Sequence, residues 1–173
     1  MSDWPWDDVT IPDTALIYRR IGAPPDYRVP DPITNICRPH VSALSVPMAR
    51  KSTPTGLSGH LRELLPKDRL PPNLYIPTPS SGVISFEARQ ARAASGCTGV
   101  VIVPHCLEYD VPLRDAHVEV RTRTPKNKKD WVIARAEIIE KCRWAQVPTS
   151  PCQSCSTTKH RCDYSTAMTE STD

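Results

Sequence analysis

The stretch SFEARQARAASGCTGVVIVP, residues 85–104, decides the fold class that we expect for this chain. Its first part, SFEARQARAASG, predicts a helix, because Ser85 can act as the N-cap and Gly96 as the C-terminal stop. The second part, TGVVIVP (residues 98–104), sets consecutive β-branched residues between glycine and proline, which predicts a buried strand. A helix that leads straight into a buried strand indicates a helix packed on a sheet.

Two more elements follow in the same region. AHVEVRTRT (residues 116–124) alternates apolar and polar side chains, which predicts a half-exposed strand. KDWVIARAEIIEKCRW (residues 129–144) predicts a second helix, capped by Asp130. The expected fold class is therefore α+β, with a small helix–strand–strand–helix core over residues 81–147.

The region before this core is rich in proline. Fourteen of the 19 prolines lie in residues 1–80. Proline removes a backbone donor and fixes φ, so we expect an irregular arm with short elements and without long helices or central strands. Within it, TALIYRRI (residues 14–21) predicts a strand or a short helix, and GLSGHLRELLP (residues 56–66) predicts a short helix capped by Ser58. Residues 148–173 are expected to form a cysteine-rich segment and a disordered tail.

Composition narrows the class of protein. The formal charge of +3 on 173 residues is too small to imply a nucleic-acid partner by itself. The acidic start MSDWPWDDV has no apolar signal region, and the longest apolar run, GVVIVP, is far shorter than the about 20 residues that span a bilayer. We therefore expect an intracellular protein without a membrane partner. Its seven cysteines are then better explained as core residues or metal ligands than as disulfides.

A group of small uncharacterised bacterial proteins resembles this chain over residues 14–144. The similar stretches are IYRRI, LSV, SGVISFEARQARAASGCTGVVIVP, DAHVEV and a helix that ends in KCRW. The resemblance implies a domain over that range and implies no activity.

The stretch PCQSCSTTKHRCDYS, residues 151–165, is the strongest functional motif. Its spacing is Cys152-x2-Cys155-x6-Cys162, with His160 inside the second gap. A C-x2-C turn lets two thiolates point at one tetrahedral zinc ion, which needs about four such ligands. The motif therefore predicts one Zn2+ per chain, with a fourth ligand still to be assigned.

Two residues are candidates for that fourth ligand. His160 lies within the motif, but only one residue separates it from Cys162, a short spacing for two ligands of one tetrahedron. Cys142 lies ten residues before Cys152 and would complete an all-thiolate site.

Residues 142–164 resemble the second half of the fungal Zn2Cys6 cluster, whose halves are spaced C-x2-C-x6-C. The three cysteines of the motif match that spacing, and Cys142 falls where the last cysteine of the first half stands. The positions of the two remaining cysteines hold Val132 and Arg135. The resemblance thus implies one zinc held by four thiolates and a nuclear protein; without it we expect a cytoplasmic one. It puts specific DNA binding in doubt, because the half that enters the major groove is largely absent.

Basic residues cluster in RTRTPKNKK (residues 121–129), which has no acid and is typical of a solvated loop. If nucleic acid is a partner, this run and two basic residues of the cysteine motif are expected to contact phosphates. The residues are Arg121, Arg123, Lys126, Lys128, Lys129, Lys159 and Arg161.

A second hypothesis is a small enzyme. The loop PHCLEYD (residues 104–110) follows the predicted buried strand, a usual place for α/β active sites. Cys106 would be the nucleophile, His117 its base and Asp110 the orienting carboxylate. His105 is a further candidate, but adjacent residues on a strand point to opposite faces, so it does not easily activate Cys106.

Of the two functions, the sequence favours a zinc-binding interaction or regulatory module. The zinc motif has a specific spacing, whereas the catalytic set combines residue types that a polar hairpin loop also contains. The expected partner is an unidentified protein or nucleic acid, and the sequence indicates no oligomeric state.

Overall fold

The structure is a computed structural model of the 173-residue chain. It describes residues 4–22, 29–30, 37–44, 56–75, 81–96, 98–104, 110–125 and 128–148.

Eight strands occur within the described residues, and six of them form one antiparallel sheet. The order across this sheet is β6-β7-β4-β1-β5-β8, while β2 and β3 pair separately. The bounds are β1 Leu16–Ile21, β2 Val29–Pro30, β3 Cys37–Arg38, β4 Leu57–Leu61, β5 Gly82–Glu87, β6 Thr98–Ile102, β7 His117–Thr122 and β8 Arg143–Gln146.

The helices are few and mostly short. The α-helices of the described residues are α1 Ala88–Arg92, α2 Val111–Ala116 and α3 Lys128–Lys141, and short 3-10 helices span Val41–Leu44, Arg62–Leu64 and Lys67–Arg69. The chain is thus a mixed α/β protein, as the sequence predicts. No described helix has the length and apolar character that crossing a membrane requires.

Both faces of the six-stranded sheet are covered. On one face, α1, α3 and the 3-10 helix Val41–Leu44 contribute to the larger hydrophobic cluster. The fully buried strand residues of this cluster include Ile17, Leu57, Ile84, Phe86, Val100, Val118 and Val120. The opposite face carries a smaller cluster built from α2 and the segment around residues 65–74, with Tyr18 and Val83 from the strands. Each fully buried large apolar side chain contributes about 1.5–3 kcal/mol.

The proline-rich region supplies the middle of this sheet, so the prediction that it holds no central strand is wrong. β1 pairs with β4 on one side and β5 on the other, and Tyr18 lies opposite both His60 and Ser85. Neither β1 nor β4 contains proline. A high proline content over residues 1–80 therefore does not bar strands from short proline-free windows, where every ladder donor is present.

The stretch at residues 56–66 forms β4 and a 3-10 turn, not the predicted helix capped by Ser58. Gly59 explains this outcome. A Cβ atom at Gly59 would lie 2.6 Å from Ile17 Cγ2 and 3.0 Å from the Tyr18 carbonyl oxygen. Glycine thus lets β1 and β4 approach closely, and strand pairing overrides the helical spacing of the leucines.

The helix predicted with Ser85 as its N-cap and Gly96 as its stop begins two residues late and ends early, at Arg92. Ser85 belongs to β5, and α1 starts at Ala88 with Glu87 as its N-cap. Glu87 and Gln90 form a capping box: the Glu87 carboxylate accepts from the Gln90 backbone N–H, and the Gln90 side chain accepts from the Glu87 N–H. The side-chain cap is thus supplied by glutamate instead of the predicted serine.

The buried strand and the second helix that were predicted next are both found, but the ends of the helix differ: Asp130 lies in its first turn and is not the predicted N-cap, and residues 143–144 belong to β8. The buried strand is β6, and the second helix is α3, which begins at Lys128. β7 was predicted to be half-exposed, yet all six of its residues are buried. Its polar side is covered by two segments. Pro5 O of the N-terminal segment accepts from the Arg121 guanidinium, and Gly56 N, just before β4, donates to Glu119 Oε2 at 3.1 Å.

The N-terminal segment, residues 4–13, covers the edge strand β6. Asp8 N donates to Val100 O at 2.7 Å, and Val100 N donates to Asp7 Oδ1 at 3.0 Å. Arg92 of α1 holds the segment with ion pairs to Asp7 and Asp13 at 3.0 and 2.6 Å. The backbone groups of Val100, at the middle of β6, thus find partners within the chain, which protects this part of the edge from pairing with another molecule.

Replacing Ile17 by alanine tests whether β1 belongs to the core. Ile17 is 1% exposed in the larger cluster, so we expect Ile17→Ala to lower the free energy of unfolding by about 2–5 kcal/mol. Val9, which is 86% exposed, provides the control: Val9→Ala should change it by less than about 0.5 kcal/mol. Urea unfolding followed by circular dichroism measures both. Equal, small effects would show that β1 is not part of the core.

Candidate functional site

Most of the predicted zinc ligands lie outside the described residues. These are Cys152, Cys155, His160 and Cys162, together with the basic residues Lys159 and Arg161. Among the residues that the structure describes, no group of three or more histidine, cysteine, aspartate or glutamate side chains is placed to hold a metal ion. The cysteine motif therefore stays a prediction.

Cys142 is the predicted ligand that the structure does place. It follows α3 directly, donates its backbone N–H to Ile138 O at 3.1 Å, and packs against the larger hydrophobic cluster. Burial raises the pKa of the Cys142 thiol to about 12, and the nearby Arg19 guanidinium lowers it by less. Zinc binds the thiolate, so this environment favours the protonated, core-packing form of Cys142 over a ligand.

The Cys142 thiol should therefore resist alkylation. With EDTA present at pH 8, we expect iodoacetamide to modify Cys142 slowly in the folded protein and rapidly in urea, as measured by mass spectrometry. The folded pKa of about 12 lies above that of a free thiol, so the stability that the buried thiol contributes is present below about pH 8.5 and is lost as the pH rises towards 12. Rapid alkylation of the folded protein would contradict this placement.

The basic run divides between a strand, a turn and a helix. Arg121 belongs to β7 and is 9% exposed, Arg123 is exposed, and Lys128 and Lys129 are exposed in the first turn of α3. Lys126 lies outside the described residues. The prediction of one solvated loop is therefore wrong for Arg121 and for the two lysines of α3.

Arg121 has structural partners instead of a free surface. Its Nε donates to Glu119 Oε2 at 2.7 Å, and one of its terminal nitrogens donates to Pro5 O at 2.8 Å. The guanidinium carbon lies 4.3 Å from the centroid of the Trp4 ring, a cation–π distance. The same indole donates its N–H to Thr122 O at 3.0 Å. This arrangement corrects the prediction that Arg121 contacts phosphates, while Arg123, Lys128 and Lys129 keep exposed side chains.

Replacing Arg121 by alanine should therefore destabilise the fold. The substitution leaves the Glu119 carboxylate buried without its ionic partner, so we expect a loss of about 3–5 kcal/mol in the free energy of unfolding. The exposed neighbour is the matched control, and Arg123→Ala should cost less than about 1 kcal/mol. Thermal and urea unfolding measure both variants. If the two substitutions cost the same, Arg121 has no structural role.

The predicted catalytic set is placed only in part. His105 and Cys106 lie outside the described residues. Asp110 precedes α2 and forms an ion pair with Arg69 at 3.2 Å, while His117 is the first residue of β7 and is buried. The structure thus shows Asp110 paired with an arginine, and it leaves the nucleophile–base pair of Cys106 and His117 as a prediction.

His117 instead lies beside a histidine for which the sequence suggested no partner. His117 and His60 are directly opposite each other on β7 and β4, and their ring centroids are 5.7 Å apart. They are 4% and 8% exposed. His117 Nδ1 lies 2.6 Å from Val103 O, and His60 Nδ1 lies 2.8 Å from the Tyr75 hydroxyl. We call His60, His117 and Tyr75 the histidine cluster.

The hydrogen bond to Val103 fixes the tautomer of His117. A carbonyl oxygen only accepts, so Nδ1 carries the proton and Nε2 has the lone pair in the neutral ring. On the same sheet face, Tyr18 packs in the smaller hydrophobic cluster, where burial raises its pKa and the charge of Arg62 reduces that effect. The contact with Val103 thus holds the His117 ring in one orientation beside the His60 ring.

The alternation of side chains between the two faces of a strand is the sequence signal that would have identified this cluster. If residues 57–61 are taken as a strand, Leu57, Gly59 and Leu61 face one side and His60 the other. His117 has the same position in AHVEV, where Val118 and Val120 face the core. Because residues 56–66 were predicted to form a helix, the equivalent positions of His60 and His117 on two strands were not recognised.

Comparison with protein-family models, with curated proteins and with solved structures finds no match for this chain. The bacterial and fungal resemblances therefore remain predictions.

Proposed function

We propose that the chain is a zinc-binding interaction module in which the cysteine motif binds one Zn2+ beside the folded domain. The observation that carries the proposal is the spacing Cys152-x2-Cys155-x6-Cys162. Thiolates at this spacing suit one tetrahedral zinc ion. A segment of this size has too little apolar surface for a core of its own, so the free energy of metal binding would order it.

The fold supports the proposal by holding the chain close to the motif. β8 pairs with β5, with Gln146 opposite Val83. Pro148 is buried, and its Cδ lies 2.8 Å from the place that a Cβ at Gly82 would occupy. The motif begins four residues later, within about 14 Å of Pro148, given about 3.3–3.6 Å per extended residue. The proposed zinc site is thus attached to the sheet by a short linker and not by a long tether.

The same geometry favours His160 over Cys142 as the fourth ligand. Cys142 and Pro148 lie at opposite ends of β8, so the motif would have to double back along the whole strand to reach Cys142. Cys142 is also partly buried against the larger hydrophobic cluster, where burial raises the pKa of its thiol to about 12. We therefore propose three thiolates and one imidazole, with Cys142 as the less favoured fourth ligand.

The proposed partner is anionic. Lys159 and Arg161 flank the ligand His160 and would project from the zinc-ordered segment. Arg123, Lys128 and Lys129 add exposed positive charge on the folded domain. Such residues bind phosphates without reading base sequence, so the proposal is contact with a nucleic-acid backbone or an acidic protein surface.

An enzyme that uses residues 104–117 is the second proposal. It is supported by the position of His117, which is buried at the start of β7, opposite His60, and is oriented by the contact of its Nδ1 with Val103 O. His105, Cys106 and Asp110 complete that proposal as predicted from the sequence.

Zinc content per chain tests the zinc module. We expect about one zinc per chain by elemental analysis, loss of it in Cys152→Ser/Cys155→Ser, and retention in the matched control Ser154→Ala/Ser156→Ala. With His160 as the fourth ligand, His160→Ala should weaken zinc binding at least about 10-fold while Cys142→Ala retains it. Loss of zinc in a folded Cys142→Ala protein would assign the all-thiolate set instead. Absence of zinc from the unsubstituted protein would contradict the proposed function.

A further inference from the structure

We propose that the chain forms an antiparallel homodimer through the solvent-facing side of α3. Five exposed residues make up this side, which we call the outer face of α3: Lys129, Val132, Ile133, Ala136 and Glu140. Val132 and Ile133 are 46% and 40% exposed. The proposal concerns the folded domain alone and does not depend on the cysteine motif.

The outer face lies on the side of α3 that points away from the core. The buried residues of the helix are Ala134 and Ile138, which belong to the larger hydrophobic cluster. At 3.6 residues per turn, the outer face is on the opposite side of the helix. A surface helix normally presents polar side chains there. In α3, however, three of the five outer residues are apolar neighbours, which indicates a contact surface.

The shape of the outer face suits a second helix. Ala136 stands in the middle, with Val132 and Ile133 one turn before it and Glu140 one turn after it. Its small side chain lets another helix approach closely, towards the short end of the usual interaxial range of about 8–10 Å. The larger side chains of Val132 and Ile133 can then pack beside the partner helix.

The charges at the two ends of the outer face make it complementary to itself. Lys129 and Glu140 are eleven residues apart, so they lie about three turns, or about 16 Å, from each other along one side of α3. A two-fold axis between Ile133 and Ala136 would place Lys129 level with Glu140 of the partner subunit, and symmetry would repeat this ion pair. A parallel arrangement would bring like charges together, which is unfavourable.

The same charges argue for a second copy of the chain over an acidic partner. An acidic surface that pairs with Lys129 would be repelled by Glu140, whereas an antiparallel copy pairs both residues. The contact is small, because each subunit contributes one side of a 14-residue helix. We therefore expect a weak, reversible dimer.

Sedimentation equilibrium of the full-length protein tests the dimer. A reducing agent excludes disulfides, and each sample is measured with and without EDTA to exclude bridging metal. We expect a monomer–dimer equilibrium with a dissociation constant below about 1 mM in both conditions. Ile133→Glu should weaken the dimer at least about 10-fold, because it places a carboxylate in the apolar contact.

Leu64 provides the matched control. It is 45% exposed, close to the value for Ile133, and belongs to the 3-10 helix Arg62–Leu64, which contacts α2. Leu64→Glu adds the same charge outside the outer face of α3, so it should leave self-association unchanged.

Charge reversal tests the antiparallel arrangement. Lys129→Glu and Glu140→Lys each replace both ion pairs with like-charge contacts, so each variant alone should dimerise at least about 10-fold more weakly. An equal mixture of the two should associate about as tightly as the unsubstituted protein, because each glutamate then meets a lysine. The double variant Lys129→Glu/Glu140→Lys should likewise recover dimerisation. Both substitutions match the helix dipole, so α3 should stay folded.

Three outcomes would overturn the inference. Absence of an EDTA-resistant dimer up to about 1 mM would mean that the outer face of α3 does not bind a second copy. Equal association in folded Ile133→Glu would place the contact elsewhere on the chain. Failure of the double variant to recover dimerisation would exclude the antiparallel arrangement. Because the dimer is measured with EDTA present as well, none of these outcomes bears on the proposed zinc module.

Discussion

The close approach of β1 to β4 is the constraint on which the rest of the structure depends. Gly59 leaves no Cβ between the two strands, and Ile17 fills the space directly above it. This pairing places β1 at the middle of the sheet, where β4 and β5 add on either side. Because side chains alternate along a strand, the register then sends Ile17 and Ile21 to the larger hydrophobic cluster and Tyr18 to the opposite face.

That register also decides which polar groups are buried together. On β4 and β7 the apolar residues face α1 and α3, so His60, His117, Glu119 and Arg121 all face the other side. Each of these four is buried, and each has an identified partner within the chain. Buried polar groups cost free energy unless they are hydrogen-bonded, so the opposite face must be built from specific pairs. Among the described residues of these two strands, that face therefore holds the ion pair of Glu119 with Arg121 and the ring contact of His60 with His117.

The sequence predicted the elements whose signals are local, and it missed those that depend on distant strands. The β-branched run of β6 and the helix α3 need no tertiary information, and both are found, although α3 begins before its predicted cap, Asp130. β4 carries a helical spacing of leucines and a glycine, and only its pairing with β1 makes it a strand. The histidine cluster was missed for the same reason, since His60 and His117 are 57 residues apart and meet only through β4 and β7. The burial of Arg121 under Trp4 likewise depends on residues far apart in the chain.

The two edge strands of the sheet, β6 and β8, have different surroundings, and this difference bears on where a partner can bind. At β6 the backbone groups of Val100 are bonded by Asp7 and Asp8, and Arg92 holds that segment in place. A partner that adds a strand there would have to displace several hydrogen bonds and the ion pair of Arg92 with Asp7, whose side chains are mostly buried. This displacement costs free energy. At the other edge, β8 is short and leads through the buried Pro148 towards the cysteine motif. Recognition through the sheet edge is therefore disfavoured at β6, and a partner of the proposed zinc module would approach beside β8, which leads to the motif.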